Sequence, residues 1–199
     1  MAGDEAPVPA YTIRAAEEHD LLGIMGIYNE QIENSTAIAL DEPFDLENRR
    51  AWMRGLKAAG FPMFVAVPSN LPVTQGRNFD DTSVKAGSTV LGFAYYGSFR
   101  SRWGYRFSVE EGLYTHKSAR GTGIGSALMT TLLDHAKKAG NVHVLVATIT
   151  ADNVGSIRFH ERFGFEIGGT LKEVVYKFGK WQDVVFMQLI VQSESPEDK

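Results

Sequence analysis

The run Ala119-Arg120-Gly121-Thr122-Gly123-Ile124-Gly125-Ser126 restricts this chain more than any other stretch. A strand-like apolar segment precedes it and a helix-like segment follows. Glycines at alternate positions let the main chain approach a ligand and turn its N–H groups toward it. The helix adds N–H groups that lack intrahelical partners and the positive end of its dipole. Strand, glycine turn and helix together form an anion cradle suited to a pyrophosphate.

Two familiar cradles do not match. A dinucleotide-binding turn has Gly-x-Gly-x-x-Gly in the first strand–helix unit. Here the glycines are 121, 123 and 125, beyond the middle of the chain. A P-loop needs Gly-Lys followed by Ser or Thr, and no such run occurs. The remaining reading is a third kind of phosphate turn, with Arg120 beside the glycines and the helix directly after.

The 199 residues allow one domain with a substantial core, expected over 11–191, with frayed ends. A hydrophobic share of 44% and a charged share of 22% are those of an ordinary globular chain. A net charge of −4 offers no overall attraction to nucleic acid. With 0 cysteines, disulfides, thiolate metal ligands and a cysteine nucleophile are excluded, and no metal site is expected. No leader peptide or membrane-length apolar run is visible, so the expected location is the cytoplasm.

Periodicity sets out the elements. Strands are expected at 11–15, 64–67, 90–96, 105–115, 142–149, 165–176 and 184–191, and helices at 17–32, 46–59, 126–139 and 153–163. Asp45 reads as an N-cap, with Gly60, Gly140 and Gly164 as helix stops. Residues 68–87 lack periodicity and read as a flexible insertion between two strands. Glu110-Glu111-Gly112 interrupts the strand pattern, for which a β-bulge is the expected cause. The pattern as a whole predicts a mixed α/β (α+β) fold, with helices on both faces of one sheet.

Asn153, Ser156 and His160 fall at 0, +3 and +7 of the fourth helix and share one face. Beside a phosphate turn, such a face could hold an extended, amide-rich cofactor. With these residues in view, Arg120-x-x-Gly123-x-Gly125, preceded by Leu113-Tyr114-Thr115 and followed by Asn153-x-x-Ser156, resembles the acetyl-CoA signature of the GNAT N-acetyltransferase superfamily. Tyr105-Arg106-Phe107-Ser108-Val109-Glu110, Arg158-Phe159-His160-Glu161 and Lys177-Phe178-Gly179-Lys180-Trp181 resemble its phosphinothricin/methionine sulfoximine acetyltransferase branch. So does Asn34-Ser35-Thr36-Ala37-Ile38. The likeness covers residues 11–189.

The resemblance implies a single, mostly antiparallel sheet and direct transfer of acetyl from acetyl-CoA to the amine of a small amino acid or analogue. It implies that Leu113, Tyr114, Thr115, Arg120, Gly121, Thr122, Gly123, Ile124, Gly125, Ser126, Asn153, Ser156 and His160 bind the cofactor. Glu110 would be the base, directly or through one water, and the N–H of Leu113 or Tyr114 would meet the oxyanion. His160 would stand at the sulfur as acid or as a cofactor contact; Glu111 receives no role. Arg100 and Arg106 match arginines expected to hold the substrate carboxylate, with Phe99, Trp103 and Tyr105 as apolar walls. Ala39 departs from branch members that carry tryptophan, which would reshape the acceptor pocket. Residues 177–183 match a segment near the subunit contact, so a homodimer is expected. The alternatives are a peptide or protein amine as acceptor, or a non-catalytic acyl-CoA-binding regulator.

Overall fold

The computed structural model describes residues 11–69 and 90–191. The expected insertion therefore lies outside the described residues, apart from Pro68, which ends a strand, and Ser69; both expected frayed ends lie outside as well. The strands are β1 (Tyr11–Ala15), β2 (Met63–Pro68), β3 (Gly92–Ser98), β4 (Ser108–Thr115), β5 (Val144–Thr150), β6 (Glu166–Lys177) and β7 (Lys180–Ile190). The helices are α1 (Leu21–Asn34), α2 (Leu46–Ala58), α3 (Ile124–Ala139) and α4 (Val154–Arg162). One sheet runs in the order β1-β2-β3-β4-β5-β7-β6. Every pairing is antiparallel except β4 with β5. The expected sheet with helices on both faces is what forms.

The two faces have separate cores. On one, α1 and α2 bring Ile24, Ile27, Trp52 and Leu56 onto Val65 and Phe93. On the other, α3 buries Leu128, Met129, Leu132 and Leu133 against Ala66, Ala94 and Leu145. Each fully buried aliphatic side chain of this kind contributes roughly 1.5–3 kcal/mol. The α2 start follows its capping chemistry: the Asp45 carboxylate accepts the Asn48 N–H at 2.7 Å.

Two expectations need correction. The strand placed at 105–115 begins only at Ser108, because Trp103–Tyr105 forms a 3-10 turn. The bulge at Glu110-Glu111-Gly112 is absent, since β3 and β4 keep an unbroken register from Gly92↔Thr115 to Ser98↔Val109. Gly112 has a different cause. It faces Tyr95, and a Cβ there would stand 2.6 Å from the tyrosine ring. The bulges occur instead in β6, between Ile167 and Gly169 and between Leu171 and Val175.

Candidate active site

The site begins where two parallel strands part. β4 and β5 pair over three positions, ending at Glu110↔Val146, after which β5 continues against β7 alone. Hydrogen bonding in an antiparallel pair alternates along each strand. Phe99 N–H donates to Ser108 and His116 N–H donates to Leu91, so even-numbered residues of β4 bond to β3. The N–H of Tyr114 is therefore engaged with β3, whereas that of Leu113 is turned toward the gap. Of the two oxyanion donors expected from the sequence, the geometry leaves Leu113.

A cleft of about 1030 Å³ fills the gap. Its walls include Leu113, Tyr114, Thr115, Arg120, Gly121, Gly123, Gly125, Ser126, Asn153, Ser156 and His160. Two of the expected cofactor residues do not line it. Thr122 Oγ1 donates to the Ala119 carbonyl at 2.7 Å and fastens the turn, and Ile124 is buried in the core. Gly123 is the residue before α3, with φ +87°, and Gly121 has φ +78°. Such angles are strained for any residue with a Cβ. Gly123 offers no side-chain acceptor to the helix. The first-turn N–H groups of α3 thus stay open to an anion, and Arg120 stands beside them. These features fit the diphosphate of acetyl-CoA.

The Asn153 carboxamide oxygen accepts the Ser156 N–H at 3.1 Å, so this side chain starts α4 as well as facing the cleft. Residues given no role from the sequence complete the opposite wall. Glu30, Gln31 and Asp152 line it with Thr36, which lies in a stretch that carries the resemblance, and Thr36 Oγ1 is bonded to Asp152 at 3.0 Å and to Thr150 at 3.1 Å. Their signal was weak, because polar residues at a helix end and in loops are ordinary. The buried Lys177 Nζ donates to the Ile38 carbonyl at 2.6 Å and so ties the end of β6 to the loop that carries Thr36. Burial lowers the pKa of this lysine, and Asp41 opposes that shift.

The adjacent glutamates diverge, as regular strand geometry requires. Glu110 does not line the cleft; its Oε1 accepts from the Thr148 hydroxyl at 2.6 Å, and Thr148 does line it. Glu111 takes the other face, where its Oε1 meets His160 Nε2 at 2.8 Å. His160 Nδ1 meets the Ser156 carbonyl at 2.7 Å. Side-chain exposures are 6% for His160 and 4% for Glu111. Burial alone would depress the histidine, but the Glu111 carboxylate and the Ser156 carbonyl outweigh it and raise the pKa above the ordinary value. Glu111 Oε2 is buried without a partner.

The arginines of the connector lie apart from the cleft. Arg100 is exposed over the Phe99 ring, and Arg106 is exposed over Trp103 and Phe107. Among the walls expected there, Trp103 is 78% exposed, and Phe99 packs edge-on to Tyr105. Ala39 is exposed beyond the Thr36 loop.

Comparison with known proteins finds acetyltransferases. Residues 24–165 match the model of the acetyltransferase (GNAT) family. An L-methionine sulfoximine/L-methionine sulfone acetyltransferase of Pseudomonas paraeruginosa is 40% identical over 178 residues, 89% of this chain and 93% of the relative. A Salmonella typhimurium structure with its cofactor acetyl-CoA superposes with TM-score 0.81 at 34% identity, covering 94% of this chain and 96% of the other. A GNAT phosphinothricin acetyltransferase from Sinorhizobium meliloti, in complex with acetyl-CoA, gives TM-score 0.79 at 31% identity, covering 91% and 88%.

Proposed function

The chain belongs to the acetyltransferase (GNAT) family, and from that premise we propose that it transfers acetyl from acetyl-CoA to the amino group of a small amino acid or analogue. Methionine sulfoximine, methionine sulfone and phosphinothricin are the acceptors in the names of its relatives. The observation that carries the reading is the gap between β4 and β5, where an open helix N-terminus, a free strand edge and titratable side chains meet in one cleft. Bound acetyl-CoA supplies an activated acyl carbon. The α3 turn and Arg120 hold its diphosphate, and the free edge of Leu113–Thr115 faces its amides. The Leu113 N–H meets charge that develops on the carbonyl oxygen.

Glu110 takes the amine proton through a water beside Thr148. His160 protonates the departing thiolate. Glu30 and Asp152 make the opposite wall acidic and so favour an ammonium group at that end. Arg100 and Arg106, in the connector ahead of Glu110, receive the acceptor carboxylate once they turn inward. We place the reaction in the cytoplasm with detoxification as its purpose; among the described residues no helix is long and apolar enough to cross a membrane. A homodimer through the exposed β6–β7 hairpin completes the reading.

The test is release of free thiol from acetyl-CoA against a panel of amino acids, their sulfoximine, sulfone and phosphinic analogues, and short peptides. Turnover is expected with the amino acid analogues. Reaction of peptides alone would move the acceptor to a protein amine, and cofactor binding without any turnover would leave a regulator.

A further inference from the structure

We propose that Glu111 positions His160 for acetyl transfer, holding the imidazole at the cleft wall through Nε2 and keeping on that nitrogen the proton that the departing thiolate takes. The proposal rests on the acetyltransferase reading above and gives a role to a residue that the sequence left without one.

Three observations support it. First, both ring nitrogens of His160 are held. A carbonyl can only accept, so the contact with Ser156 at 2.7 Å fixes a hydrogen on Nδ1. Nε2 and Glu111 Oε1, 2.8 Å apart, then share one more proton between them. Second, the pair is buried yet lines the cleft, so that proton is shielded from bulk water and open to a ligand. Third, Glu111 Oε2 is buried and has no partner. A carboxylate kept only for stability is expected to have both oxygens satisfied, and a buried ion pair is a poor source of stability compared with apolar packing. The unpaired oxygen is therefore a cost that the contact with His160 has to justify by function.

The surroundings leave Glu111 as the group that sets the histidine. β4 contributes Glu111, α4 contributes Ser156 and the Phe159 ring, and the chain entering β6 contributes the Phe165 ring. Arg162, the next basic residue of α4, lies over the Phe159 ring, 5.7 Å from its centroid. Arg162 also lines the cleft, together with the charged side chains of Glu30, Arg120 and Asp152.

The protons balance. As the acceptor nitrogen bonds to the acetyl carbon, the C–S bond breaks and its electron pair goes to sulfur. The Nε2–H bond to Glu111 opens as the sulfur takes that proton, and His160 is left neutral, with Nδ1–H still on Ser156 and Glu111 still ionised. The nitrogen sheds two protons in becoming an amide: one reloads the Glu111–His160 pair, and the other leaves through Glu110 to solvent.

The experiment pairs an NMR titration of His160 in the ligand-free protein with the pH dependence of kcat, for the parent chain, Glu111→Gln and Glu111→Asp. In the parent, His160 titrates above an ordinary histidine. In Glu111→Gln, burial is opposed only by the Ser156 carbonyl, the titration falls, and the alkaline limb of kcat moves to lower pH. At a pH above the lowered limb kcat falls by about 10²-fold, the low end for general acid–base groups, while KM for acetyl-CoA changes little. Glu111→Asp keeps the charge and returns both readouts toward those of the parent. A His160 titration that ignores Glu111→Gln, or an alkaline limb that stays in place while the titration moves, overturns the proposal. A parent chain that transfers no acetyl group overturns the functional reading first and this proposal with it.

Discussion

Glu110 and Glu111 are neighbours in the chain with opposite surroundings, and the difference assigns their chemistry. Glu110 rests, half-buried, on the hydroxyl of Thr148, which lines the cleft. Glu111 is shut in with His160. A base that exchanges its proton with solvent belongs in the first setting and a stored proton in the second. Glu110→Gln is therefore expected to lower kcat by about 10²–10⁴-fold, the usual range for a general base, with little change in the Kd of acetyl-CoA by calorimetry. Equal losses in both would remove Glu110 from the proton path. At this scale the sequence was legible where a local rule operates. The 0, +3, +7 spacing placed Asn153, Ser156 and His160 on one wall, because helical period alone decides that. The Glu111–His160 contact joins residues 49 positions apart, and no local pattern announces it. Gly112 misled for the same reason, since its cause is a tyrosine on the next strand.

The elements that matter most are α3 and the parting of β4 from β5. Gly123 both permits the turn, at φ +87°, and leaves the helix start uncapped by a side chain. Gly123→Ala is expected to cost about 1–2 kcal/mol of stability, the penalty for a left-handed residue with a Cβ. If the backbone relaxes to relieve that strain, the N–H groups lose their aim, and the Kd of acetyl-CoA rises about 10-fold, equivalent to about 1.4 kcal/mol. Thermal melting measures the first effect and calorimetry the second. A variant that melts lower but binds as before would show that the turn shapes the fold without gripping the cofactor. Helix boundaries were legible because caps are chemical: Asp45 bonds Asn48, and Gly140 and Gly164 take φ of +73° and +85°. The opening of the gap was not. Both strands carry apolar residues suited to pairing, yet β5 leaves β4 after Glu110↔Val146 while staying paired on its other edge with β7, a partner distant in sequence.

For the whole molecule, the distribution of apolar surface is the remaining fact to explain. The helices cover the sheet from β1 to β5, while β6 is exposed along nearly all of its length. Ile167, Leu171, Val174, Tyr176, Phe178 and Trp181 are each 48–60% exposed. Tyr176 and Trp181 lie against each other across the hairpin, ring centroids 5.0 Å apart, and Phe178 begins its tip with φ +51°. Aromatic residues gathered on one exposed hairpin are what an interface requires and what a free monomer avoids. The same hairpin carries Lys177, which holds the loop bearing Thr36, so a second copy seated there would also steady one wall of the cleft. Sedimentation equilibrium of the parent chain is expected to give twice the monomer mass, and Phe178→Asp with Trp181→Asp is expected to give the monomer. Acceptor KM should rise in that double variant while the Kd of acetyl-CoA holds, because the α3 turn stands at the other wall. A parent chain that sediments as a monomer, or a double variant that remains paired, would leave the exposed hairpin without this explanation.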